Sequence, residues 1–135
     1  NNGTKGGRPR EISINSHHQI EALQHATNFQ KNDYSLIPSN LTWAQYQSFS
    51  YREMKSVVLH FHQERHYYAN LRYEQITGVL SPIQSNVNHS KHYDYLSKSL
   101  CITRKEAILL DHQTRQKIAE ELGHSRISIT NNYLG

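Results

Sequence analysis

Three stretches carry the side chains best suited to chemistry. Leu122-Gly123-His124 is followed, after eight intervening residues, by Tyr133. Further back, His62-Gln63-Glu64-Arg65 sets an imidazole and a guanidinium three positions apart. Near the N-terminus, Thr4-Lys5-Gly6-Gly7-Arg8-Pro9-Arg10 places a lysine and two arginines around a Gly-Gly pair. A phenol becomes a nucleophile once it gives up its proton, and an adjacent imidazole can take that proton. A guanidinium stays charged and binds phosphate bidentately. Together these types suit displacement at a phosphodiester, where negative charge gathers on the nonbridging oxygens.

The elements that must position these groups read as mainly helical. Gly123 is a left-handed C-cap for a preceding helix, and Ser125 is expected to start a short helix through Ile127, Ile129 and Asn131 that carries Tyr133. That preceding helix runs to Leu122 with Ile118 and Leu122 on one face, starting either at the Thr103-x-x-Glu106 capping box or near Asp111. His62 to Thr77 forms a helix stopped by Gly78, with Tyr67, Leu71 and Ile76 among its apolar positions. Ser16-His17-His18-Gln19 caps a helix over about residues 17–30, and Thr42-Trp43-Ala44-Gln45 caps another to about Val57, with Tyr46, Phe49 and Met54 toward a core. Asn32-Asp33 breaks the first of these, and Pro38 keeps the next stretch out of helix. Residues 79–102 are polar, show no convincing period and read as a long, variable and mobile insertion. At the start of the chain, Gly6-Gly7 followed by the alternation Glu11, Ile12, Ser13, Ile14 reads as a β-hairpin with only its second strand complete. The expected fold class is therefore α+β, mainly α, with a partial β-hairpin and about five helices in one domain, 1–135.

The stretches Leu122-Gly123-His124 to Tyr133 and His62-x-x-Arg65, in that spacing and order, resemble the tyrosine recombinases of the phage-integrase family. The runs Arg65 to Ala69, Arg72 to Glu74 and Ile76 to Gly78 resemble a subgroup found in prophages and mobile elements. The resemblance implies the recombinase catalytic-domain fold and site-specific breakage and rejoining of DNA through a 3′-phosphotyrosyl intermediate. It makes Tyr133 the nucleophile, Arg65 the phosphate-binding guanidinium, and His62 and His124 phosphate ligands that assist proton transfer. It also implies duplex DNA and further copies of the enzyme as partners, in a tetramer on DNA, with no cofactor and no metal.

At the N-terminal stretch two alignments compete. In one, Gly7-Arg8-Pro9-Arg10-Glu11 is the family's first arginine box and Arg8 is catalytic. In the other, Thr4-Lys5-Gly6-Gly7 is the hairpin turn carrying a catalytic lysine, the general acid for the 5′-oxygen, and Lys5 takes that role. The second is preferred, because the arginine box sits on a helix in this family, whereas Pro9 and the alternation after it favour a strand. The first arginine would then lie upstream of Asn1, and the chain would be most of a catalytic domain that cleaves poorly alone. Arg8, Arg10 and Arg126 are candidate contacts to the DNA backbone.

The 135 residues suffice to bury a core. A net charge of +4, supplemented by ten histidines below neutral pH, is compatible with a polyanionic partner. The single cysteine, Cys101, excludes an internal disulfide and fits a reducing compartment. With no apolar run of membrane length and no leader pattern, a bacterial cytoplasmic protein without a membrane is expected. Two further readings stay open: a DNA-binding module of the same fold without catalysis, and a histidine-rich metal-binding domain using His60, His62, His66, His89, His92 or His112. Their spacing lacks the convergent pattern of a zinc site.

Overall fold

The computed structural model describes residues 11–30 and 35–135. Among them every regular element is helical, and none is a strand. The expected α+β class is thus corrected to all-α for the described residues. Glu11 to Ile14 forms neither helix nor strand, and Ile12 and Ile14 are 51% and 55% exposed. A strand needs a neighbour for its N–H and C=O groups, and alternation stabilises it only when one face is buried. Neither condition is met among the described residues. The Gly6-Gly7 turn, with Lys5, Arg8 and Arg10, lies outside the described residues.

The chain falls into two compact units, one of which is Ile12–His60. It contains α1 (His17–Gln30) and α2 (Trp43–Ser56), the spans their capping residues announce. Gln19 N–H donates to Ser16 Oγ at 3.3 Å while Ser16 N–H donates to Gln19 Oε1 at 3.1 Å. Thr42 and Gln45 repeat the exchange at α2. Of the α2 residues expected toward a core, Tyr46 and Met54 are half-buried and Phe49 is exposed. No residue of either helix is buried, and Phe49 is 46% exposed. The chain leaves α2 through Val58 at φ 57°, a left-handed conformation that costs a β-branched residue about 1–2 kcal/mol.

The other unit holds the chemistry. Its helices are α3 (Phe61–Thr77), α4 (Pro82–Ser85), α5 (His92–Leu100), α6 (Arg104–Glu121) and α7 (Asn131–Leu134), with 3-10 turns at His89–Lys91 and Ile127–Thr130. Its hydrophobic core joins Ala69 and Tyr73 of α3, Ile118 and Leu122 at the end of α6, and Tyr133 and Leu134 of α7. Tyr67 and Leu71 face solvent instead, because α3 turns Ala69, Asn70, Arg72 and Tyr73 inward. Its core stripe is thus largely polar and small, which an apolar count overlooks.

The stretch expected as a loop is largely helical. Ser81 caps α4 through Gln84 N–H, and α5 buries His92 and Leu96 against the rest of the unit. Tyrosine, histidine and serine hide the amphipathic period there, since burial of His92 depends on polar partners rather than on apolarity. For α6, the Thr103–Glu106 box is the start that forms. Gly123, at φ 76°, closes α6 with its N–H on Glu120 O and that of His124 on Ala119 O. The next turn starts at Arg126, not at Ser125, and has no side-chain cap.

Candidate active site

Tyr133 sits on the one-turn helix α7 with its ring 5% exposed and its backbone carbonyl accepting from Asn70 Nδ2 at 3.1 Å. Asn70 is itself held by a hydrogen bond from Ser81. Around the phenol stand three imidazoles. His124 Nε2 is 3.2 Å from the Tyr133 hydroxyl, the two rings stacked with centroids 5.9 Å apart. His66 meets the phenol ring edge-on at 4.8 Å, and His62 lies 6.1 Å away.

Arg65 reaches the same place from α3. Its Nη2 donates to the Leu122 carbonyl at 2.8 Å and lies 3.1 Å from His124 Nε2. A guanidinium can only donate, so His124 Nε2 is the acceptor in its contact with Arg65, and the same nitrogen faces the Tyr133 hydroxyl. Its single lone pair is open to the phenol proton once Arg65 donates elsewhere. His62 and His66, one helical turn apart, face each other at 3.1 Å between Nε2 atoms. A proton on one of these nitrogens satisfies both.

Two buried polar networks brace this cluster. Glu121 accepts from Arg72 Nε at 3.1 Å and Nη2 at 3.0 Å and from the Tyr68 hydroxyl at 2.8 Å. The hydrogen bond from Arg72 to Glu121 raises the arginine's pKa further, and burial followed by the bond to Glu121 pushes the Tyr68 phenol up to about 12. Glu121 adjoins Leu122, so this pair fixes the carbonyl that holds Arg65.

The second network runs through Asp111, whose Oδ1 accepts from Tyr73 at 2.7 Å, with His92 Nε2 at 3.2 Å and Arg115 Nε at 2.9 Å from its carboxylate. Burial opposes the charged form of Asp111, but the bond from His92 and the charge of Arg115 outweigh it and hold the carboxyl below its ordinary range. Burial, then the charge of Asp111, drives the Tyr73 phenol far above the ordinary tyrosine range. His92 Nε2 also lies 2.8 Å from the Tyr73 hydroxyl, and its buried Nδ1 has no hydrogen-bond partner among the described residues.

Of the residues singled out from sequence, the structure brings together Tyr133, His124, Arg65 and His62. Arg126 is exposed at the start of the 3-10 turn, and Lys5, Arg8 and Arg10 are outside the described residues. Sequence reasoning gave His66 only a place in the metal-binding alternative, and gave no site role to Asn70, Arg115 or the Tyr68–Arg72–Glu121 set. His66 carries a readable signal, its spacing of four from His62. The others act through contacts 49 to 63 residues apart in the chain or, for Arg115, 16 and 20, which local spacing does not encode. No group of three or more His, Cys, Asp or Glu side chains among the described residues is placed to hold a metal ion, and no helix among them is long and apolar enough to cross a membrane. No protein-family model, curated protein or solved structure matches the chain.

Proposed function

We propose that this chain is the catalytic part of a tyrosine recombinase, breaking and rejoining duplex DNA in an assembly of several copies, as in the integration or excision of a mobile element. The observation that carries the reading is the Tyr133 hydroxyl 3.2 Å from His124 Nε2, itself 3.1 Å from Arg65 Nη2. Arg65 thus meets Leu122 and His124, 57 and 59 positions further along the chain, on the turn whose His124 faces the phenol.

In this reading Tyr133 Oη attacks the scissile phosphorus and its proton passes to His124. Arg65 leaves the Leu122 carbonyl for the nonbridging oxygens, where its charge is strongest in the transition state. The phosphorus–5′-oxygen bond breaks, and that oxygen takes up a proton, from Lys5 by the resemblance. The products are a 3′-phosphotyrosine and a free 5′-hydroxyl. Attack by a 5′-hydroxyl reverses the steps without ATP, because the phosphotyrosine keeps the energy of the broken ester. Arg8, Arg10 and Arg126 serve as backbone contacts to the DNA.

The test is covalent trapping on nicked duplexes drawn from the DNA flanking the gene, using the intact natural protein and its Tyr133→Phe variant. A denaturation-resistant adduct at a 3′-phosphate, absent from Tyr133→Phe, is expected. DNA binding that weakens with salt but never yields an adduct would replace the reading with a non-catalytic DNA-binding module of the same helices.

A further inference from the structure

Arg115 is 4% exposed and lies on α6, outside the cluster of imidazoles around Tyr133. Its Nε is locked by Asp111, one turn earlier on the same helix, which Tyr73 of α3 and His92 of α5 hold in turn. The guanidinium therefore has a fixed orientation, and its two remaining nitrogens point the same way. Nη1 donates to Asn131 Oδ1 at 3.0 Å and Nη2 to the Gly135 carbonyl at 2.9 Å. Asn131 opens α7 and Gly135 follows its last residue, so one planar group grips both ends of the turn that bears Tyr133.

A four-residue helix has almost no stability of its own, since nucleation costs more than one or two hydrogen bonds return. Within α7 and its cap, Gly135 N–H to Asn131 O, at 3.1 Å, is the ladder bond that closes the turn. Its geometry must come from tertiary contacts. Burial of Tyr133 and Leu134 supplies attraction, but apolar contact is non-directional and does not set the angle of the phenol. Hydrogen bonds with fixed donors do.

We infer that Arg115 is the positioning residue of the nucleophile: with Asp111 behind it, it clamps α7 at Asn131 and Gly135 so that the Tyr133 hydroxyl is presented to His124. The inference rests on the recombinase reading for its kinetic consequence, though not for the clamp itself. The phenol must approach phosphorus within a few tenths of an ångström, and a displacement of about 1 Å costs on the order of 100-fold in rate.

The experiment uses the intact natural protein with Asn131→Ala, Asn131→Asp and Arg115→Met. Asn131 is exposed, so its variants keep the fold and the buried ion pair. Single-turnover adduct formation at saturating DNA is measured beside DNA affinity, together with amide hydrogen exchange along α7. Asn131→Ala is expected to slow adduct formation ~10- to 100-fold with unchanged affinity, and to lower protection at Gly135 while α3 and α6 stay protected. Asn131→Asp, which keeps the acceptor, restores both, and Arg115→Met loses more than Asn131→Ala. Wild-type exchange and rate in Asn131→Ala would overturn the clamp, as would equal losses in the alanine and aspartate variants. If the wild type gives no Tyr133-dependent adduct, the recombinase reading falls, and the exchange data alone decide whether Arg115 holds α7.

Discussion

Glu121→Gln should be among the most damaging conservative changes in the molecule. In Glu121 a single carboxylate, with its side chain 4% exposed, faces Arg72, with a side chain 10% exposed, and takes the Tyr68 hydroxyl as a third donor. Glutamine keeps the volume but removes the charge and turns one acceptor into a donor aimed at Arg72. Leaving a buried guanidinium without its counter-ion costs about 3–5 kcal/mol. Removing both charges is different: Arg72→Met with Glu121→Leu should cost no more than about 1.5 kcal/mol, the loss of the Tyr68 hydroxyl's acceptor, because the desolvation cost of the pair disappears with it. Tyr68→Phe, which loses one bond to a charged acceptor, should cost about 1.5 kcal/mol. Urea is the suitable denaturant, since guanidinium ions screen charge. Far-ultraviolet circular dichroism should be the probe, because the single tryptophan, Trp43, belongs to the Ile12–His60 unit and reports elsewhere. Because Glu121 anchors the turn that carries Leu122 and His124, the double variant should recover stability but not the full rate of adduct formation. A Glu121→Gln loss under about 1 kcal/mol, or a double variant no more stable than the worse single, would show that the pair is not coupled as its geometry implies.

Other consequences are open to direct measurement. Arg65→Ala should slow adduct formation by on the order of 100- to 1,000-fold with DNA binding largely kept, and Arg65→Lys should recover only part of it, since an ammonium lacks the planar fork; equal rates in Arg65→Lys and wild type would argue against phosphate binding by this residue. Asp111 has a depressed folded pKa, so its contribution to stability is present above the unfolded carboxylate range and is lost as pH falls through the folded value; Asp111→Asn should be less stable near neutrality and flatten the acid limb of a stability–pH curve. The Tyr68 phenol is raised to about 12, so its contribution is complete below the unfolded pKa of about 10 and is lost as pH rises toward 12; Tyr68→Phe should reduce alkaline unfolding monitored by circular dichroism. Cys101 ends α5 at φ 53° and is exposed, so Cys101→Gly should raise the urea midpoint by about 0.5–1 kcal/mol of stability, and an unchanged or lowered midpoint would mean that the left-handed strain is already relieved.

Much of the local structure was legible in the residues themselves. Capping pairs act over three positions, so Ser16–Gln19 and Thr42–Gln45 announced two helix starts, Thr103–Glu106 offered one of two for a third, and Gly78 and Gly123 announced two ends through their left-handed φ. The order and spacing of His62, Arg65, His124 and Tyr133 resembled those of the tyrosine recombinases, and it was the resemblance that implied a single site for them. Other features were not readable this way. The alternation Glu11 to Ile14 looked like a strand, but alternation specifies a strand only with a partner and a buried face, and the described residues provide neither. The polar segment 79–102 looked like a loop because its helix buries a histidine, and the value of that histidine depends on Tyr73 and Asp111 far away in the chain.

The sequence by itself therefore determined what is carried by contacts a few residues long: helix limits, turn chemistry and which side chains are candidates for the site. Only the tertiary structure decided which of those groups meet. The packing of α3 against α6 sets Arg65 beside His124, and the Asp111–Arg115 pair and Asn70 hold α7 so that Tyr133 meets them. The physical reason is that a buried charge or hydrogen bond gains its strength from a partner that satisfies it in low dielectric. Such a partner is chosen by the fold, not by its distance along the chain.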